Sequence, residues 1–162
     1  MKSCEWIVCE PTNRWAAALR VAVARAANWP AGEPRLYEVR SLEELAARLE
    51  VRPNALGFIN VHDDNVPRVL SWLAAARGLY SRARFVALID CRLSREEIAD
   101  ALLEAGAAEI AYSPRYLQHV LALTRQHAAI AATRPAASAA DNSLMESIWS
   151  SLPWQPEERP VG

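Results

Sequence analysis

The chain has 162 residues, 52% of them apolar and 23% charged, with a formal net charge of −1. That length suits one domain plus an appendage and a core that stands without metal or disulfides. Seventeen arginines accompany a single lysine, Lys2, yet no arginine cluster forms a one-signed face, so the electrostatic footprint of a nucleic-acid binder is missing.

Short runs rich in Ile, Val and Phe alternate with longer segments of period 3.6, the pattern of an α/β protein with a parallel sheet. The first run is Glu5–Cys9, followed by a helical stripe of Trp15, Leu19, Ala22, Val23 and Ala26. Arg35–Val39 comes next, and the capping box Ser41-x-x-Glu44 opens a helix through Leu42, Leu45, Ala46 and Leu49. Ala55–Val61 precedes a stripe of Val66, Val69, Leu70, Leu73 and Ala74. Arg84–Ile89 precedes a helix capped by Ser94-x-x-Glu97, running through Ile98, Leu102 and Ala105 and closed by Gly106. Glu109–Tyr112 leads into Leu117, Val120, Leu121 and Thr124. Five βα units with short connections predict a doubly wound, five-stranded parallel sheet of flavodoxin-like order 2-1-3-4-5 over residues 1–130.

After Ala128 the composition turns to Ala, Thr, Pro and Ser, too poor in large apolar groups to pack, and 131–140 reads as a flexible linker. Residues 141–162 return to bulky side chains. The capping box Ser143-x-x-Glu146 opens a short amphipathic helix with Leu144, Ile148 and Leu152 on one side, Met145 and Trp149 alongside, and Pro153 at its end. Trp149 and Trp154 lie beyond the linker, where aromatic anchors suit docking into an apolar groove of a partner or of the chain's own domain. Residues 1–134 hold 17 basic and 15 acidic side chains, while 135–162 hold one and four.

No apolar run approaches the ~20 residues of a membrane span. The start, Met1-Lys2-Ser3-Cys4-Glu5, has no apolar core of a signal peptide. Cys4, Cys9 and Cys91 are odd in number and lie in strand-like segments, as reduced thiols do. A soluble, cytoplasmic protein without membrane or nucleic-acid partner is expected.

In doubly wound sheets ligands collect at the carboxyl ends of the strands. Those ends read Cys9 and Glu10, then His62, Asp63 and Asp64, then Asp90 and Cys91, then Ser113. Cys, His and carboxylate are ligand types, but no C-x-x-C or H-x-x-H pair exists, and strands one and four stand about 9 to 10 Å apart with strand three between them. Cys9 and Cys91 therefore read as core-lining thiols and no metal centre is predicted. Asp63-Asp64 reads either as a solvated turn with one aspartate capping the third helix or as a magnesium-binding remnant. His119 and His127 have no partner for acid-base work and read as surface residues. Every glycine is isolated, so there is no Gly-rich phosphate loop, and no Ser/Thr-rich loop follows strand one to hold a flavin.

The segment Glu104-Ala-Gly-Ala-Ala-Glu-Ile-Ala-Tyr-Ser-Pro-Arg-Tyr-Leu resembles the closing block of a response-regulator (CheY-like) receiver domain, where Gly-Ala opens the last strand and Lys-Pro closes it. Here the pair is Ser113-Pro114. The resemblance implies that Cys9-Glu10 keeps one acid of the receiver pair. It also implies an acceptor at Asp63, which has the Asp-x-x-x-Pro spacing to Pro67, although strand length equally places His62 there. The Thr/Ser position falls on Asp90 or Cys91, the lysine position on Ser113, and Ile110 replaces the switch aromatic. A Ser113–Pro114 cis bond is implied too, with Pro114 beginning the last helix.

Phosphoryl transfer rests on positioning and charge neutralisation, so loss of the cation removes much of the stabilisation. The expectation is a degenerate pseudo-receiver, not an enzyme and without cofactor. It acts as a signalling or regulatory interaction module toward a protein partner, a copy of itself included. Receivers communicate through the fourth helix, fifth strand and fifth helix, here Arg95, Asp100, Leu103, Tyr112, Arg115, Gln118 and His119. The alternatives are an atypical phosphoreceiver using Asp63, Glu10 and Mg²⁺, and a small flavodoxin-like ligand-binding protein using the strand-end edge.

Overall fold

The computed structural model describes residues 5–26, 28–29, 32–90, 95–115 and 117–133. Ten elements alternate along them: β1 Glu5–Cys9, α1 Arg14–Arg25, β2 Arg35–Val39, α2 Leu42–Val51, β3 Leu56–Val61, α3 Val66–Leu79, β4 Arg84–Ile89, α4 Arg95–Ala105, β5 Glu109–Ala111 and α5 Gln118–Thr133. All strand pairings are parallel and the order is β2-β1-β3-β4-β5, as the alternation predicts. The periodicity works because a strand covered on both faces needs no polar alternation, and every residue of central β3 is buried.

Side-chain alternation divides the core in two. Ile7, Cys9, Ile59, Val61 and Ile89 face the layer of α2, α3 and α4, with Leu45, Leu49, Leu73 and Leu102. Trp6, Val8, Phe58 and Leu88 face the layer of α1 and α5, with Trp15, Leu19 and Val120. Gly57 sets the spacing of the first layer. A Cβ there would lie 2.9 Å from Phe85 Cδ1, so only glycine lets the Phe85 ring cross β3.

Local signals behave as expected at two helix ends. Ser41 Oγ accepts from Glu44 N at 3.2 Å, and Glu44 Oε2 accepts from Arg40 N at 2.9 Å. Gly106, at φ 124°, closes α4 as its N–H and that of Ala107 return to Leu102 O.

Several expectations need correction. Ala74 is exposed and Ala76 takes its place on the buried side of α3. No described peptide bond is cis, so Ser113–Pro114 is trans, and Pro114 lies in a turn ahead of α5, which starts at Gln118. α5 runs to Thr133, past the expected linker start at 131. His127 is buried, with Nε2 donating to Asn54 O at 2.8 Å, because α5 lays it over the turn before β3. Cys4, Cys91, Ser94 and the segment 134–162, including Leu144, Ile148, Trp149, Leu152 and Trp154, lie outside the described residues.

Candidate functional site

The carboxyl ends of β1, β3 and β4 bring Glu10, Asn60 and Asp90 to one edge. Each continues the alternation of its strand onto the α1 side. The backbone supports this, since Asp90 N–H donates to Val61 O at 2.7 Å and Glu10 N–H to Val39 O at 3.2 Å.

Glu10 is 1% exposed and serves α1. Residue Asn13 at the N-cap has φ 60° and makes no side-chain cap bond. The orphan N–H groups of Trp15 and Ala16 donate instead to Glu10 Oε2 at 3.0 Å and Oε1 at 2.6 Å. A carboxylate at the positive end of a helix is favoured by charge as well as by geometry. Arg40 Nη1 adds a bond to Glu10 O at 2.9 Å.

Asp90 is held from three sides. Arg14 Nη1 donates to Oδ1 at 2.7 Å, while Trp15 Nε1 and Asn60 Nδ2 donate to Oδ2, each at 3.1 Å. The first turn of α1 thus places a guanidinium and an indole over the end of β4, and the carboxylate is neutralised by the chain itself. Arg14, Trp15 and Asn60 were not among the expected site residues. Asn60 carried a legible signal, a lone amide inside the apolar run of β3; Arg14 had none.

The β3–α3 turn is closed by Asn65, whose Oδ1 accepts from His62 N at 2.9 Å and whose Nδ2 donates to Asn60 O at 3.0 Å. Asn65, not either expected aspartate, is the N-cap of α3. Helix α3 begins at Val66, so the loop is as short as the periodicity predicts. His62 Nδ1 lies 4.0 Å from Asp64 Oδ2, and Asp63 is half-buried. Among the described residues no three His, Cys, Asp or Glu side chains converge as a metal site would require. Ser113 follows β5, and its Oγ accepts from Arg115 N at 3.3 Å, a local turn bond.

A cleft of about 260 Å³ opens where the strand order reverses between β1 and β3, with Cys9, Arg40, Asn60, His62 and Arg68 in its lining. Burial, then the Glu44 and Glu43 carboxylates, push the Cys9 thiol up to about 11, with Arg68 opposing. Cys9 is therefore a neutral core thiol. The same field weighs against an anion here, because Arg40 lies 3.7 Å from Glu38 Oε2 and Arg68 pairs with Glu43.

On the α4, β5 and α5 side, Asp100, Arg115, Gln118 and His119 are exposed, and Leu103 and Tyr112 are each 45% exposed. Ile110 is half-buried against the first layer. The side chain of Arg95 lies outside the described residues.

No protein-family model matches the chain, and no curated protein does. Solved structures do. A CheY-like protein (tadZ) from Pseudomonas aeruginosa is 19% identical with a TM-score of 0.59, over 85% of this chain and 99% of that one. A response regulator from Thermotoga maritima is 12% identical with a TM-score of 0.60, over 77% and 99%. A protein described as pilus assembly-related, from Burkholderia pseudomallei, is 14% identical with a TM-score of 0.57, over 77% and 90%. At these identities the likeness is one of fold: the chain has the CheY-like receiver fold. Among the described residues no helix is long and apolar enough to cross a membrane.

Proposed function

We propose that this chain is a degenerate receiver that has exchanged phosphoryl chemistry for constant protein-protein recognition in a regulatory or scaffolding role. One observation carries the reading: Arg14 and Trp15 donate to Asp90 at the strand-end edge where a receiver would take up its phosphoryl group and metal. Both carboxylate oxygens of Glu10 are engaged by backbone N–H groups of α1, which speaks against its use as a magnesium ligand. The lysine position is Ser113, and its hydroxyl serves its own turn.

Recognition would use the exposed Leu103 and Tyr112 with Asp100, Gln118 and His119 around them. Two 45%-exposed large side chains on a charged surface fit an anchor-and-rim contact. The likeness to a pilus assembly-related protein supports a setting in a multi-protein assembly, where a contact is wanted without a phosphorylation cycle. The test is an amide NMR titration with beryllofluoride and Mg²⁺, with acetyl phosphate and mass spectrometry alongside. No shift at the strand-end edge and no phosphoryl adduct on Asp63 are expected; an adduct there with shifts through β5 would overturn the reading.

A further inference from the structure

Neither α1 nor α5 contains an aspartate or a glutamate. Between these two helices runs a groove of about 680 Å³, whose apolar lining includes Ala18, Ala22, Leu117 and Leu121, with Val21 standing 49% exposed beside them. Among the described residues the charged members of the lining are all arginines: Arg25 and Arg115 are exposed, while Arg125 is half-buried and lies over the Trp29 ring at 5.4 Å. Arg25 and Arg115 come from distant parts of the chain, so no local pattern in the sequence shows that they share a groove.

The opposite side of the sheet carries the complement. Helix α4 belongs to the other packed layer, and after Arg95 every charge on it is negative: Glu96, Glu97, Asp100 and Glu104, all exposed. By helical spacing these four and Leu103, itself 45% exposed, fall within about a third of the helix circumference. We propose that the α1–α5 groove of one copy takes up the α4 face of a second copy, with Leu103 against the alanines and leucines and the carboxylates toward Arg25 and Arg115. An apolar groove with a basic rim and an acidic helix face with an exposed leucine are complementary in sign as well as in polarity. Because α4 and the α1–α5 pair lie on opposite faces of the sheet, the two surfaces cannot meet within one molecule. The contact is heterologous: each copy offers a groove to one neighbour and a helix to the next. This choice of partner rests on the recognition role given to Leu103 and Asp100 above.

The test is sedimentation velocity on the full chain over a concentration series up to about 1 mM, with the variants Arg25→Ala/Arg115→Ala in the groove and Asp100→Ala/Leu103→Ala on the helix. Wild type is expected to grow past the dimer as concentration rises, and each variant alone to associate about fivefold more weakly or worse, the scale of two surface ion pairs. An equal mixture of the two variants should form a pair of one copy each and stop there, since only one intact groove and one intact helix remain; that recovery also shows that both variants are folded. In the wild-type background, p-benzoylphenylalanine at Val21 should crosslink to residues 96–104 of an isotopically distinct copy. A wild type that stays monomeric, growth that stops at a symmetric dimer, a mixture no larger than its components, or crosslinks only to other segments would overturn the pairing. A monomer that also takes no phosphoryl adduct on Asp63 would overturn the pairing alone, whereas an adduct there would overturn the receiver reading on which it rests.

Discussion

The indole N–H of Trp15, in the first turn of α1, donates to Asp90 Oδ2, just past the end of β4, at 3.1 Å. Asn60 Nδ2 donates to the same oxygen from the intervening β3, so one carboxylate ties three elements together.

Asp90→Ala would leave Trp15 Nε1 without an acceptor, Asn60 Nδ2 with only its longer bond to Leu88 O at 3.4 Å, and Arg14 without its counter-ion. Unsatisfied donors of this kind cost ~1–3 kcal/mol each when buried, and the part-exposed site points to a total of about 2–3 kcal/mol. Trp15→Phe keeps the ring volume, loses one hydrogen bond and should cost about 1 kcal/mol. Urea unfolding measures both, and equal losses would mean that Asp90 matters only through Trp15.

Glu10→Ala removes the acceptor for two N–H groups of α1, and loss of a helix cap costs ~0.5–2 kcal/mol. Glu10→Gln keeps one acceptor oxygen and should retain part of that stability. Since the carboxylate is committed to the helix, millimolar Mg²⁺ should not raise the melting temperature of the wild type. A magnesium-dependent rise that Glu10→Gln abolishes would return Glu10 to the role of metal ligand.

Gly57→Ala forces a methyl to within 2.9 Å of Phe85 Cδ1 and should destabilise by ~1–3 kcal/mol, the usual cost of overpacking. Phe85→Leu in the same chain should recover part of it, which a double-mutant cycle detects as coupling between the two sites. Strict additivity would show that the ring moves aside freely.

The thiol of Cys9 is pushed up to about 11 from 9.0, chiefly by burial. A raised folded-state value means that its contribution to stability is complete below pH 9 and falls as pH rises toward 11, because the unfolded chain ionises first. Wild type should therefore lose stability relative to Cys9→Ala across that window. At about pH 8, iodoacetamide should label Cys9 far more slowly in the native protein than in urea, read by peptide mass spectrometry.

The five strands were legible because a parallel sheet covered on both faces writes continuous apolar runs, and Glu5–Cys9, Arg35–Val39 and Arg84–Ile89 appear with the expected bounds. Helix stripes were legible through Leu42, Leu45 and Leu49, and less so on α3, where alanines at 74 and 76 look alike until packing chooses between them. The site was harder to read. Glu10 was visible as a strand-end acid, but its use as a helix cap depends on the left-handed turn at Asn13. That Arg14 reaches Asp90 is a relation between positions 76 apart, which no local pattern encodes. The expected cis bond at Ser113–Pro114 came from resemblance alone, and there the chain departs from its pattern.

The two outer strands of the sheet limit how copies can associate. β5 is three residues long, and β2 begins at the exposed Arg35, with Glu38 paired to Arg20 and Arg40 and Tyr37 beneath Arg48. A short edge and a charged one are both poor templates for adding another strand. Crowding at high local concentration should therefore bring folded copies together through helix faces and not by adding strands to this sheet.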